Sequence, residues 1–125
     1  MNKIAFLLSF IVLLISCNTN NNESNIKKIS VNELKLTIHN SDIQLIDVRT
    51  KKEYDNGHIA NAKLIDYFSD DFKNQLLKLN KDIPVYVYCK SGNRSGKASK
   101  MLNELGFNQI FDLEGGYSKW SKETE

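Results

Sequence analysis

Apolar and polar positions divide the chain into three unequal stretches. Ile4 to Ile15 is apolar apart from Ser9, Asn18 to Asn25 (NTNNNESN) holds nothing apolar, and the remainder mixes short branched runs with helical spacings. In that third stretch Ser30-Val31-Asn32-Glu33 has the pattern of a capping box, with Leu34 and Ile38 at helical spacing behind it. Ile43 to Val48 reads as a strand, and Thr50-Lys51-Lys52-Glu53 as a second capping box opening a short helix that Gly57 ends. Ala62 to Ile65 predicts a brief strand. Ser69 is expected to cap a helix reaching Leu79, with Asp70 and Asp71 in its first turn and Phe72, Leu76 and Leu79 facing inward. Pro84 introduces Val85-Tyr86-Val87-Tyr88, a buried strand that runs straight into Cys89. A helix is expected from Ser95 to Leu105, with Ala98, Leu102 and Leu105 inward and Gly106 as its stop. Gln109 to Leu113 is a further strand, and Gly115-Gly116 precedes a short last helix carrying Trp120. Four strands alternating with helices predict an α/β domain, its central sheet mostly parallel and flanked by helices.

The first stretch belongs to a different chemistry. Spanning ~30 Å of hydrocarbon takes about 20 helical residues, more than Ile4 to Ile15 supplies, but that run has the length of a signal-peptide core. Lys3 stands before it as the basic flank, and a buried N-terminal helix would show polar residues on one face, which this run lacks. Leu14-Ile15-Ser16-Cys17 resembles the lipobox of bacterial lipoproteins. The resemblance implies removal of residues 1–16, a diacylglycerol on the Cys17 thiol, and a lipid-anchored protein of the bacterial cell envelope, facing the periplasm or in the outer membrane. Acyl chains account for a cysteine there, since each buried methylene adds ~0.8 kcal/mol of membrane affinity. The alternative is an ordinary secretory peptide cut after Ser16, leaving Cys17 free. Residues 17–28 are expected to form a flexible polar tether, and 29–125 a folded domain large enough for one core.

Seventeen lysines and arginines stand against fifteen acidic residues, a balance that points neither to nucleic acid nor to an acidic partner. The cysteine count matters more. There are two, Cys17 and Cys89, and a thioether at Cys17 would forbid a disulfide, leaving Cys89 as a lone thiol in an oxidising compartment.

Cys89 ends a hydrophobic strand one short loop before a helix, where open α/β sheets bind ligands. Gly92 can adopt backbone angles closed to other residues, and small polar neighbours let successive N–H groups turn inward as an anion nest. Lys90 and Arg94 add positive charge, and the following helix adds the positive end of its dipole. All of these favour a thiolate, and would equally hold a persulfide anion. Taken alone, a cysteine after a strand is as readily a small buried hydrophobe; the loop that follows it decides otherwise.

The segment from Val85 through Cys89-Lys90-Ser91-Gly92-Asn93-Arg94-Ser95 resembles the active-site segment of single-domain rhodaneses, the thiosulfate sulfurtransferases. Leu45-Ile46-Asp47-Val48-Arg49, Glu53-Tyr54 with Gly57-His58-Ile59, and Leu113-Glu114-Gly115-Gly116 with Trp120 resemble the family's other signatures. The resemblance implies a three-layer fold and a relay of sulfane sulfur. Cys89 would take sulfur from a thiosulfate-like anion and pass it to a thiophilic acceptor, cyanide or a thiol, with Lys90, Ser91, Gly92, Asn93, Arg94 and Ser95 binding substrate and no cofactor or metal. Arg94 is expected at an open cleft as the stronger of the two cations. Four residues separate Cys89 from Arg94, against five in the cell-cycle phosphatases of the same fold, which argues for sulfur over phosphate or arsenate. The charged loop resembles the thiosulfate-using branch rather than the mercaptopyruvate-using one. Where the family has proline-glycine-alanine after Gly57-His58-Ile59, this chain has Ala60-Asn61-Ala62; Asn tolerates positive φ, so the turn is expected to survive.

Asp47 and Arg49 are expected to support the Cys89 loop from behind by hydrogen bonds. His58 is read as a supporting residue rather than a base, because an ionised thiol needs none. Tyr117 and Trp120 are expected to cover the last strand. An enzyme is the leading reading; the alternative is a carrier or redox-sensing module that holds sulfur without useful turnover.

Overall fold

The computed structural model describes residues 24–39 and 42–125. The leader and Cys17 lie outside the described residues. Within them the elements run β1 (Ile26–Ile29), α1 (Val31–Thr37), β2 (Gln44–Asp47), α2 (Lys51–Asp55), β3 (Lys63–Leu64), α3 (Phe72–Leu77), β4 (Val85–Tyr88), α4 (Asn93–Glu104), β5 (Ile110–Leu113) and α5 (Gly116–Thr124). The strands form one parallel sheet in the order β1-β5-β4-β2-β3. This is the expected α/β class, with one more strand than the sequence pattern predicts.

The central strand β4 is buried along its whole length, and its side chains alternate between two cores, as the period-2 geometry of a strand requires. Val85, Val87 and Cys89 join Phe72, Leu76, Ala98, Leu102 and Phe107 on the face covered by α3 and α4. Tyr86 and Tyr88 join Val31, Leu34, Ile59 and Leu113 on the other, where Tyr117 and Trp120 of α5 pack. The sheet is therefore the middle of three layers.

Both capping boxes form: the Ser30 hydroxyl accepts the Glu33 N–H while Glu33 accepts the Ser30 N–H, and Thr50 and Glu53 do the same for α2. Several boundaries differ from expectation, α3 for one ending at Leu77 rather than Leu79. β1 takes in residues 26–28, which the sequence pattern gave to the tether, because Lys27 and Lys28 sit exposed on an edge strand and break the apolar run. α3 begins at Phe72, so Asp70 and Asp71 precede it; the Ser69 hydroxyl accepts the Asp71 N–H in a turn instead of capping a helix. α4 begins at Asn93, two residues early, because Gly92 at φ 116° turns the chain and its carbonyl already accepts the Gly96 N–H. Asn61 takes φ 67°, so the turn at Ala60-Asn61-Ala62 is made as expected. No helix among the described residues is long and apolar enough to cross a membrane.

Candidate functional site

Because all five strands are parallel, their carboxyl ends share one edge, and Cys89 lies there at the end of the central strand. The thiol is buried, at 1% exposure. Its Sγ accepts the Gly92 N–H at 3.1 Å and lies 3.4 Å from the Ser95 hydroxyl. Ser95 is the third residue of α4, wholly buried, and its hydroxyl also reaches the Gly92 carbonyl at 3.3 Å. Burial opposes ionisation of the sulfur, but the Ser95 hydroxyl and the N–H groups of Ser95, Gly92 and Ser91 outweigh it, so the thiol lies below its ordinary value. The loop is thus a cradle for a negative sulfur. Lys90 and Ser91 are exposed on its outside, and Asn93 is exposed as the first residue of α4, helical where a loop was expected.

Arg94 corrects the expectation most. It does not stand free at an open cleft: its two terminal nitrogens donate to both oxygens of Glu53, at 2.7 and 3.0 Å, and the side chain is mostly covered. The Arg94 contact, set against partial burial and joined by the Thr50 contacts, brings the Glu53 carboxyl down to about 2. With Arg94 engaged, Lys90 is the loop cation without an ion pair among the described residues. Glu53 was missed because the capping box accounted for it completely, and 41 residues separate the partners.

Asp47 and Arg49 form a buried pair, Nη2 to Oδ2 at 2.7 Å, with Arg49 Nε against both carboxylate oxygens. Arg49 Nη2 also donates to the Gly57 carbonyl at 2.7 Å, and the guanidinium lies 4.2 Å from the centre of the Tyr117 ring. The pair therefore ties the turn after α2 to α5 and reaches the Cys89 loop through Tyr117, not by hydrogen bonds to the loop itself. His58 stacks on Tyr54 at 3.6 Å and its Nδ1 lies 2.9 Å from the Tyr54 carbonyl, a role in the turn.

What holds the loop is the start of α5. The Tyr117 N–H donates to the Cys89 carbonyl at 2.8 Å and the Ser118 N–H to the Lys90 carbonyl at 3.0 Å. The backbones approach so closely that a Cβ on Gly116 would fall 2.5 Å from the Cys89 carbonyl oxygen and 2.6 Å from Lys90. The sequence shows two adjacent glycines before a helix; that the second must be bare to let α5 touch the loop appears only in three dimensions.

Two concavities flank the loop. A cleft of ≈ 240 Å³ is lined by Arg49, Glu53, Asn56, Lys90, Tyr117 and Ser118, and a groove of ≈ 460 Å³ by Ile26, Lys28, Gly92, Asn93, Lys97 and Lys100. The smaller adjoins Lys90 and the clamped Glu53, and the larger brings three lysines to Gly92 and Asn93 of the loop. Among the described residues no group of three His, Cys, Asp or Glu is set to hold a metal.

The family profile described as "Rhodanese-like domain" matches residues 30–123. The thiosulfate sulfurtransferase GlpE of Shewanella oneidensis is 31% identical over 97 residues, covering 78% of this chain and 94% of that protein. An uncharacterised Bacillus subtilis protein, YqhL, is 40% identical over 77 residues, 62% of this chain but only 60% of that protein. A solved rhodanese-like domain protein from Staphylococcus aureus superposes with a TM-score of 0.67 at 37% identity, covering 75% of this chain and 90% of that one. A match over most of the chain, a parallel sheet of this order and a cysteine cradled at its carboxyl edge agree: the chain is a single rhodanese-like domain and belongs to that family, with sulfurtransferases among its relatives.

Proposed function

We propose that this protein is a sulfurtransferase that moves sulfane sulfur from thiosulfate, or a similar anionic donor, to cyanide or a thiol through a persulfide on Cys89. The observation that carries this reading is the Cys89 sulfur facing the Gly92 N–H and the Ser95 hydroxyl, in a loop that favours its ionised form. The thiolate attacks the donor's outer sulfur; a bond forms from Sγ to that sulfur as the donor's S–S bond breaks, and sulfite leaves with the electron pair. The acceptor then attacks the outer sulfur, and the Sγ–S bond breaks to return the thiolate. The loop N–H groups favour negative charge on sulfur in each resting form. Lys90 attracts the donor, and the clamped Arg94 shapes the wall through Glu53.

A second reading is a sulfur carrier or redox sensor. It is favoured by the near-complete burial of the sulfur, which restricts large acceptors, and by the neutralisation of Arg94, which weakens the pull on anionic donors. Intact mass separates the two. Thiosulfate should add one sulfur to the protein, cyanide should remove it at a steady rate, and Cys89→Ser should do neither. A persulfide that forms but is not discharged leaves the carrier; turnover by Cys89→Ser removes both.

The proposal extends to the N-terminus on sequence grounds alone. The run Ile4 to Ile15, whose end forms Leu14-Ile15-Ser16-Cys17, supports a lipid on Cys17 and a place in the bacterial cell envelope.

A further inference from the structure

α4 carries two lysines that sulfur transfer, as described, does not use. Asn93, Lys97 and Lys100 follow one another at four and three residues, so they share one face of the helix. Opposite that face lies the edge strand β1, whose alternation puts Ile26 and Lys28 on one side. The groove of ≈ 460 Å³ runs between helix and strand, and Gly96 puts no side chain into it. Its charge has one sign. Lys97 and Lys100 are exposed and make no ion pair among the described residues, while Lys28 reaches the buried Asp112 carboxyl at 3.6 Å. No acidic side chain among the described residues lines the groove. One end of it is the Cys89 loop, because Gly92, part of the lining, also donates its N–H to Cys89 Sγ at 3.1 Å.

We propose that the groove between α4 and β1 is the docking site for an acidic segment of a partner protein, which lays its carboxylates along Lys97 and Lys100 and brings its own thiol to the Cys89 persulfide. Charge complementarity and continuity with the loop carry the assignment. At ~1.5 Å per residue, α4 takes the groove on the order of 12 Å from Gly92 to Lys100, further than one small anion reaches. About four residues of extended chain cover that length. Lysine ammonium groups are mobile, hydrated point charges without a fork, which suits a row of carboxylates on a flexible chain better than one fixed phosphate. A slender segment also reaches a sulfur buried to 1% exposure, where a broad protein face would not. In the transfer itself the partner's thiol has lost its proton to water. Its thiolate bonds to the outer sulfur, the Sγ–S bond breaks, the electron pair returns to Cys89, and the partner leaves as the persulfide.

The inference rests on the sulfur-transfer reading for its chemistry, but not for its binding. The test titrates the full chain at low salt with fluorescein-labelled hexaglutamate or hexaglutamine, both free of thiol, and follows anisotropy. Hexaglutamate should bind more tightly than hexaglutamine, and added salt should weaken it. Lys97→Gln with Lys100→Gln should loosen hexaglutamate roughly three- to thirtyfold, the worth of two exposed ion pairs. Lys73→Gln with Lys78→Gln removes the same charge from α3 and should change little. Equal binding of the two peptides overturns the proposal, as does equal loss in the two double variants or no loss in the first. If the chain ignores hexaglutamate but sediments with vesicles of anionic phospholipid, the lysines serve a membrane and the proposal is again overturned. Discharge of the Cys89 persulfide by the same peptides tipped with cysteine keeps the two ideas apart. The acidic one should be faster in wild type and lose its lead in the Lys97 and Lys100 variant, while cyanide, too small to span the groove, discharges both proteins alike. Binding without discharge removes only the enzyme reading, and discharge without preference or binding removes only the docking site.

Discussion

Around Cys89 the guanidinium groups are engaged and the ammonium is exposed. Arg49 is held by Asp47 and Gly57, and Arg94 by Glu53, whereas Lys90 points to solvent. Under the proposed sulfur transfer, attraction of a dianionic donor therefore falls to Lys90. Lys90→Ala should slow persulfide formation by roughly three- to tenfold at low salt, less as salt is added. Arg94→Ala should act chiefly by releasing Glu53, whose freed negative charge then faces the cleft; restoring neutrality with Glu53→Gln in the same protein should recover most of the lost rate. Stopped-flow measurement of sulfite release checks both. The pair also predicts a pH dependence of stability. Glu53 has a folded-state value of about 2 against an ordinary 4.5, so its contribution is complete above about pH 4.5 and is lost as pH falls toward 2. Glu53→Gln should cost about 1–2 kcal/mol at pH 7 after solvent screening, and the gap to wild type in urea denaturation should close as pH drops through that window. At this scale the sequence marked Cys89 and its loop, because a thiol, a glycine and a helix start lie within seven residues. It did not mark Glu53 as a partner of Arg94, since that contact joins segments 41 residues apart.

The elements were legible where local chemistry dictates them. Both capping boxes formed because a hydroxyl three residues before a glutamate satisfies two backbone donors without tertiary help. β1 was hidden because its two exposed lysines break the apolar run, and only pairing with β5 makes it a strand. The role of α5 was hidden for a related reason: its N-terminal amides act on carbonyls nearly thirty residues earlier. Gly116→Ala and Gly92→Ala should therefore differ. Both glycines have positive φ, but a Cβ at residue 92 meets nothing within 4 Å, whereas at residue 116 it collides with the backbone of Cys89 and Lys90. Gly92→Ala should cost about 1–2 kcal/mol, and Gly116→Ala more, with the alkylation rate of Cys89 falling as well because the loop loses its brace. Thermal unfolding and alkylation, measured on the same samples, give the comparison.

For the whole molecule, two cores on either side of a parallel sheet follow from alternation within β4 and from the helices between strands, and that much could be read directly. Whether the chain is tethered is a separate matter. If Cys17 carries lipid, wild-type protein from intact cells should partition into detergent and begin at Cys17, while Cys17→Ala should lose the lipid and fail to be processed there, both read by intact mass. A wild-type product that is water-soluble without proteolysis would remove the anchor.

Parallel strands also give the domain a polarity. The chain enters the sheet at Ile26, beside the first residues of β4 and β5, and Cys89 lies past their last residues. A four-residue strand rises roughly 13 Å, so the point of entry and the sulfur sit on opposite ends of the sheet. Were the proposed lipid on Cys17 to anchor the chain, the tether would join the domain at the heel of the sheet, the end opposite the Cys89 loop.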